Sequence, residues 1–155
     1  MSPRLQDEIR QTRPFGSLEE EAYLSLERTA AVLRHALAES LKAFGITGTQ
    51  LNVLRILRGA GPDGLCRNEI GDRLVAQVPD VTRLLDRMEE ADLVVRERSA
   101  EDRRLVRTRI TERGLALLAR LDAPLIALHA QQLGHLPPDR LRTLIDLLAD
   151  VRQRG

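Results

Sequence analysis

The feature that most constrains the fold is a change of hydrophobic period in the middle of the chain. In residues 66–75 and 79–90, apolar side chains recur every three or four positions, which predicts two short helices joined by a tight turn. In residues 93–98 and 106–110, apolar and polar side chains alternate instead, which predicts two β-strands joined by the polar turn 99–104. Two helices followed at once by a β-hairpin are the order of a winged helix-turn-helix.

Longer helices are predicted on both sides of this block. Ser17 can cap a helix whose apolar residues keep helical spacing as far as Leu41, and Thr49 is predicted to cap a shorter helix after it. Thr111 begins a long helical region that contains Pro124, a residue that kinks helices. A last helix with its own apolar stripe follows. The chain is therefore predicted to be mainly α with a small β-wing.

The domain organisation follows from these elements. Residues 47–113 are predicted to form the winged helix-turn-helix lobe, residues 17–46 and 114–155 to form dimerisation helices, and residues 1–16 to be an N-terminal lead that can add a helix. The apolar stripes of the end helices exceed what one small winged-helix core can cover, which favours a shared interface between two copies. The alternative is packing within a larger monomer.

Composition excludes several classes of protein. One cysteine rules out an internal disulfide and a multi-thiolate metal site, and no acidic cluster accompanies His129 and His135, so neither a metal nor a cofactor is predicted. The sequence contains neither a glycine-rich phosphate loop nor a nucleophile elbow, so no motif predicts an enzyme. No apolar run approaches the roughly 18 residues of a membrane span, and no secretory signal is apparent, which predicts a cytoplasmic protein without a membrane partner.

The net charge of +1 does not by itself predict a polyanion partner, but the placement of the arginines does. Residues 103–109 contain no acid and four arginines, namely Arg103, Arg104, Arg107 and Arg109. Counterion release favours the binding of such a hairpin to DNA phosphates, and a narrow minor groove attracts an inserted guanidinium. The alternative is a solvated arginine-rich hairpin.

The second helix of the helix-turn-helix favours the DNA hypothesis. Its solvent side is predicted to present Asp80, Thr82, Arg83, Asp86 and Arg87. Such a face fits the major groove, where arginine pairs with guanine and threonine contacts the thymine methyl group. Asp80 can accept a hydrogen bond from a cytosine amine or pair with Arg83. The alternative is ordinary salt bridging within the helix, which the adjacent wing makes less favoured.

The segments Thr47–Leu57, Asp80–Glu89, Glu101–Arg104 and Thr111–Gly114, in this order and spacing, resemble the MarR (multiple antibiotic resistance regulator) family. The resemblance implies a homodimeric winged-helix transcription factor, in which the helix at 79–90 enters the major groove of a palindromic operator. The Asp-x-Arg signature of the family's wing falls on Asp102 and Arg104. The resemblance therefore implies that Arg104 reaches into the minor groove while Asp102 orients it.

Three positions depart from the family's pattern. Thr108 replaces an aliphatic residue in the wing, and Val75 occupies a turn position where glycine is frequent. Gln77 replaces the usual serine cap of the recognition helix, which leaves the register at Pro79 and Asp80 open. The predicted DNA-binding residues are Asp80, Thr82, Arg83, Arg87, Asp102, Arg103, Arg104 and Arg107.

The resemblance also implies regulation by a small aromatic or anionic effector that releases a repressor from DNA. His35 and Phe44 are the candidate ligand-binding residues, although a surface histidine is the commoner role. An alternative is a thiol-based redox response at Cys66, which lies at an expected helix N-cap with Glu69 three residues later. An inert cap substitute is the favoured explanation of this cysteine. A winged-helix interaction module that does not bind DNA is the remaining class.

Overall fold

The computed structural model describes residues 4–153, and these form a mainly helical protein with a small antiparallel sheet, as predicted. The elements are α1 (Leu5–Glu8), α2 (Leu18–Leu41), a 3-10 helix (Lys42–Phe44), α3 (Gly48–Ala60), β1 (Leu65–Cys66), α4 (Arg67–Arg73), α5 (Val81–Glu90), β2 (Val94–Arg98), β3 (Val106–Ile110), α6 (Glu112–Leu133) and α7 (Pro138–Gln153). None of these helices is both long and apolar enough to cross a membrane. The chain divides after Gly45 into two compact units.

The first unit is dominated by α2, whose start is fixed by the predicted cap. The N–H of Glu20 donates to Ser17 Oγ at 3.1 Å, which satisfies one of the backbone donors that a helix N-terminus leaves open. Three consecutive acidic residues in the first turn further suit the positive end of the helix. Gly45 then adopts a left-handed conformation with φ of +70°, which ends the short 3-10 helix after α2.

In the second unit, α3 begins two residues earlier than predicted, because Thr47 and not Thr49 is its N-cap. The N–H of Gln50 donates to Thr47 Oγ1 at 3.2 Å, and the N–H of Thr47 donates to Gln50 Oε1 at 3.1 Å. This reciprocal capping box satisfies two donors at once, so the helix starts at Gly48.

The core of the second unit lies between α3, α6 and the helix-turn-helix. Its fully buried side chains include Val53, Leu54, Leu57, Ile70, Leu85, Met88, Leu118, Leu121 and Leu125. At the surface, the guanidinium of Arg58 donates to both carboxylate oxygens of Asp122 at 2.9 to 3.1 Å, which joins α3 to α6. This hydrogen bonding lowers the pKa of Asp122 below its ordinary value.

The connection between α4 and α5 is longer than the predicted three-residue turn. It runs through residues 74–80, because Leu74 is already extended and Asp80 is the N-cap of α5. Pro79 therefore precedes the helix and does not lie in its first turn. The N–H of Val75 donates to Asn52 Oδ1 at 2.8 Å, and the Val75 side chain is 91% exposed. The φ angle of Val75 is not positive, so this turn does not require glycine at that position.

The hairpin matches the prediction closely, with Val94 opposite Ile110 and Arg98 opposite Val106. The sequence analysis missed β1, which pairs with β3 on the side away from β2, giving the order β1-β3-β2. Gly64 precedes β1 with φ of +67°, and a Cβ there would lie 2.4 Å from the carbonyl oxygen of Thr108. This close approach lets a strand of two residues pair with β3.

Candidate nucleic-acid interface

The helix α5 presents the predicted face, and its start is now defined. The N–H of Arg83 donates to Asp80 Oδ1 at 2.9 Å, so the carboxylate of Asp80 caps the helix. The predicted pairing of Asp80 with Arg83 thus involves the backbone of Arg83 and leaves its guanidinium free of that carboxylate. Gln77 lies in the loop before the cap.

Three predicted residues of α5 are solvent-exposed on one side, namely Thr82, Arg83 and Arg87, while Leu85 and Met88 on the other side are buried. Within residues 4–153, neither Arg83 nor Arg87 forms an ion pair. The alternative of salt bridging within the helix is therefore wrong for both arginines. Their charge is available to an external partner.

Two acids of α5, Asp86 and Glu89, instead bind an arginine at the base of the wing. Arg96 Nη2 lies 2.6 Å from Asp86 Oδ1 and 3.0 Å from Glu89 Oε1, and the backbone N–H of Arg96 donates to Glu89 Oε2 at 2.8 Å. The side-chain and backbone hydrogen bonds from Arg96 lower the pKa of Glu89. This cluster joins α5 to β2, and it compensates the charges of Asp86 and Glu89.

The turn of the wing is held by its own polar residues. The backbone N–H of Arg104 donates to Asp102 Oδ1 at 3.0 Å, and Arg98 Nη1 donates to the carbonyl oxygen of Arg103 at 3.0 Å. Asp102 therefore fixes the backbone of Arg104, whereas the resemblance implied that it orients the arginine side chain. In the described part of the chain, the guanidinium of Arg104 has neither a hydrogen bond nor an ion pair.

Three of the four wing arginines are divided between two faces of the hairpin. Arg104 lines a cleft towards α5, whereas Arg107 and Arg109 line a separate depression on the outer side. Arg109 Nη2 lies 2.5 Å from Glu97 Oε2 of β2. Residues 103–109 contain no acid themselves, but the neighbouring strand supplies one, so the charge of Arg109 is compensated. Arg107 is half-buried, with Nη1 3.5 Å from the carbonyl oxygen of Gly64. The structure thus separates Arg107 from the predicted residues of α5.

The cleft between α5 and the wing has a volume of about 420 Å³. Thr82 and Leu85 line it from α5, and Arg104 and Val106 line it from the wing. The cleft therefore brings Thr82 of the recognition helix together with Arg104 of the wing, and both were predicted as DNA-binding residues.

The sequence analysis missed Arg67 as a residue of this cleft. Arg67, the first residue of α4, also lines the cleft, and its Nη1 donates to Thr82 Oγ1 at 3.1 Å. Residues 67 and 82 are brought together by the packing of α4 on α5, so spacing along the sequence gives no signal for this contact.

The candidate effector-binding residues lie in the first unit, whereas Cys66 lies at the cleft. His35 is exposed on α2, and Phe44 is half-buried in the 3-10 helix that follows, so both belong to the first unit. Cys66 is the N-cap of α4, as predicted, and its N–H donates to Glu69 Oε2 at 2.8 Å. This backbone hydrogen bond is the main cause of the lowered pKa of Glu69. Cys66 is half-buried and lines the same cleft as Arg104.

Comparison with known proteins points to one family. Residues 44–105 match the sequence model of the MarR family. The HTH-type transcriptional regulator YkoM of Bacillus subtilis (strain 168), itself uncharacterised, is 33% identical over 140 residues, which cover 86% of this chain and 88% of YkoM.

Solved structures agree with this assignment. A MarR transcription factor from Planctomyces limnophilus is 42% identical and superposes with a TM-score of 0.67, covering 88% of this chain and 98% of that one. A mutant MarR from E. coli in complex with operator DNA is 25% identical with a TM-score of 0.75, covering 88% of this chain and 99% of that one.

Proposed function

Because this chain belongs to the MarR family of transcriptional regulators, we propose that it acts as a homodimer that binds palindromic operator DNA in a sequence-specific manner. We further propose that it represses transcription until a small aromatic or anionic ligand releases it. One observation carries the DNA-binding part of this proposal: Thr82, from the exposed face of α5 that also presents Arg83 and Arg87, and Arg104 of the wing line a single cleft.

The two sides of the cleft suit the two grooves of a duplex. A helix fits the major groove, which is about 12 Å wide, and arginine there recognises guanine bidentately. Arg83 and Arg87 are four residues apart on α5 and can act in this way. The adjacent minor groove is about 6 Å wide and receives an arginine side chain, the role we assign to Arg104. The E. coli relative is complexed with operator DNA, which supports a DNA duplex as the partner of this protein.

The proposed dimer rests on apolar surface that a single chain leaves exposed. No side chain of α7 within Pro138–Gln153 is buried, and Ile145 and Val151 are 62% and 60% exposed. Leu18 and Tyr23 of α2 are also exposed. Apolar residues repeated along one helix mark an interaction surface. A second copy would cover them, and a twofold dimer of this kind reads half-sites about one helical turn of DNA apart.

Sedimentation at micromolar concentration tests the dimer. Ile145→Glu places a charge in the proposed interface and should shift the protein towards a monomer. Asp146→Ala, which changes an exposed neighbouring residue, should leave the dimer intact. A wild-type chain that sediments as a monomer would contradict the proposal.

Electrophoretic mobility shift with the DNA upstream of the protein's own gene tests DNA binding. We expect specific binding that weakens steeply as salt increases. Arg104→Ala should reduce affinity for every duplex, because a wing contact positions the protein, whereas Arg83→Ala should reduce discrimination between operator and scrambled DNA. Arg109→Ala is the matched control, since it removes the same charge from the outer face of the same hairpin.

The control separates the wing contact from general electrostatics. If Arg104→Ala binds as tightly as Arg109→Ala, the minor-groove role of Arg104 is wrong. If the wild-type dimer binds no duplex at all, the remaining class, a winged-helix interaction module, replaces the DNA-binding proposal.

Effector release at His35 and Phe44 is tested by thermal shift against small aromatic acids. A ligand that binds only the folded protein raises the melting temperature in proportion to the logarithm of its concentration above Kd. The same compound should release operator DNA, and His35→Ala should reduce both effects. A compound that stabilises the protein without releasing DNA would contradict this part of the proposal.

A thiol-based response at Cys66 is the second candidate, because Cys66 lines the cleft that the DNA is proposed to enter. Modification of the thiol would add atoms to the wall beside Arg67. Peroxide treatment should then weaken DNA binding by the wild type and not by Cys66→Ser. Equal sensitivity of the two proteins would exclude this response.

A further inference from the structure

Arg67 is a cation at the cleft that no part of the predicted site includes. It is exposed, and its guanidinium reaches from α4 to the hydroxyl of Thr82 on α5. Arginine carries five N–H donors in a planar fork, and the contact with Thr82 at 3.1 Å uses Nη1. The rest of the fork remains available to a second acceptor, and its orientation is already restricted by Thr82.

The charges lining the cleft distinguish Arg67 from its neighbours. Three arginines line the cleft: Arg67, Arg96 and Arg104. Arg96 is bound by Asp86 and Glu89, whereas Arg67 and Arg104 form no ion pair within residues 4–153. The uncompensated positive charge of the cleft therefore comes from one arginine on the helix side and one on the wing side. Such a pair suits an anion that passes between them.

The geometry of a duplex identifies that anion. A major groove and the adjacent minor groove are separated by one sugar-phosphate backbone. If α5 occupies the first groove and Arg104 the second, this backbone must cross the cleft between α5 and the wing.

We propose that Arg67 is a phosphate-binding residue that clamps this backbone from the α4 side, opposite Arg104. The inference rests on the proposed function, since it requires the two elements to enter adjacent grooves. Arginine binds phosphate bidentately through its planar fork, and Thr82 holds the fork towards the cleft. Phosphate contacts fix the register of a protein on DNA and carry no base information directly. Arg67 therefore contributes affinity and salt dependence, while Arg83 and Arg87 of α5 contribute discrimination.

Fluorescence anisotropy with two labelled duplexes tests the proposal on the full-length protein. One duplex is the DNA upstream of the protein's own gene, and the other is a scrambled duplex of the same composition. The slope of log K against log salt is negative, and each lost phosphate contact reduces its magnitude by about 0.9, so Arg67→Ala should make it shallower by about 1.8 for a dimer. We expect Kd to rise at least about tenfold for both duplexes, with their ratio unchanged.

Two further variants separate binding from a structural effect. Arg67→Lys keeps the charge and loses the fork, so the salt slope should stay near that of the wild type while affinity falls to an intermediate value. Arg73→Ala removes the same charge from the other end of α4, about 9 Å along the helix axis, and Arg73 does not line the cleft. It should change the slope much less than Arg67→Ala does.

Three results would overturn the phosphate role of Arg67. The first is a salt slope for Arg67→Ala equal to that of the wild type, and the second is an equal loss of affinity with Arg73→Ala. The third is a changed ratio between the Kd values of the two duplexes, which would indicate that Arg67 reads bases. A wild-type protein that binds neither duplex would instead contradict the proposed function itself. Circular dichroism of Arg67→Ala and Arg67→Lys checks that both variants fold.

Discussion

Replacing Arg96 with methionine should lower the stability of the second unit through the loss of two specific ion pairs. Methionine keeps most of the aliphatic volume of arginine, so the variant removes charge with little loss of packing. Asp86 and Glu89 then lose the guanidinium that lies 2.6 and 3.0 Å from their carboxylates. The backbone hydrogen bond from residue 96 to Glu89 remains.

The expected magnitude follows from the exposure of the three side chains. Arg96 is 22% exposed, but the side chains of Asp86 and Glu89 are 49% and 39% exposed, so solvent screens both pairs. Exposed ion pairs contribute about 0.2 to 1 kcal/mol each, which gives about 0.4 to 2 kcal/mol for the two pairs of this cluster. For a protein of this size, 1 kcal/mol corresponds to about 2 to 4 °C in Tm at fixed protein concentration.

The pH dependence of this difference has a definite sign. The pKa of Glu89 is lowered in the folded protein, chiefly by the side chain of Arg96. A lowered carboxylate pKa stabilises the fold above the unfolded pKa of about 4.3, and this stabilisation is lost as the pH falls through the folded pKa. The stability gap between the wild type and Arg96→Met should therefore be constant near neutral pH and become smaller below about pH 4.3.

Urea unfolding of Arg96→Met, Glu89→Gln and the double variant measures the coupling free energy of the pair. Arg98→Met is the matched control, because Arg98 lies on the same strand and donates to a backbone carbonyl, with no acid partner among the described residues. A coupling energy of zero between Arg96 and Glu89, or a stability gap that does not change on acidification, would refute the reasoning.

Two further substitutions test local features of the fold. Thr47→Ala removes the cap of α3 and should cost about 1 kcal/mol in urea unfolding, whereas Thr49→Ala should cost less than half of that; equal losses would contradict the observed cap. Gly114→Ala places a Cβ 2.5 Å from the carbonyl oxygen of Leu93 and should lower Tm clearly, because a backbone atom must shift. Gly59→Ala meets no atom within 4 Å and should raise stability by up to about 1 kcal/mol, so a lower Tm for this helix variant would show that the reasoning from space alone is incomplete.

The helices and the hairpin were predictable because their signals are local. Ser17 and Thr111 are observed caps, since each hydroxyl accepts from an N–H three residues later. Thr47 and Thr49 are both good helix caps, so residue type alone does not identify the N-cap of α3. The side chain of Gln50 decides it by completing the capping box with Thr47.

The short strand β1 could not be predicted from its own residues. Leu65 and Cys66 have no alternation to detect, and they form a strand because Thr108 and Arg107 lie beside them. The same limit applies to the polar residues of the site. The contact of Arg67 with Thr82 joins residues that are fifteen positions apart.

The sequence by itself determined the type and order of the elements, because helix and strand periods and caps depend on residues within about four positions of one another. It also predicted Arg83 and Arg104 as DNA-binding residues. Only the tertiary structure decided which arginines keep an uncompensated charge. Arg96 and Arg109 meet carboxylates, while Arg67 and Arg104 face a cleft without one. The reason is that charge compensation depends on distances of a few ångströms between residues remote in sequence, which only packing sets.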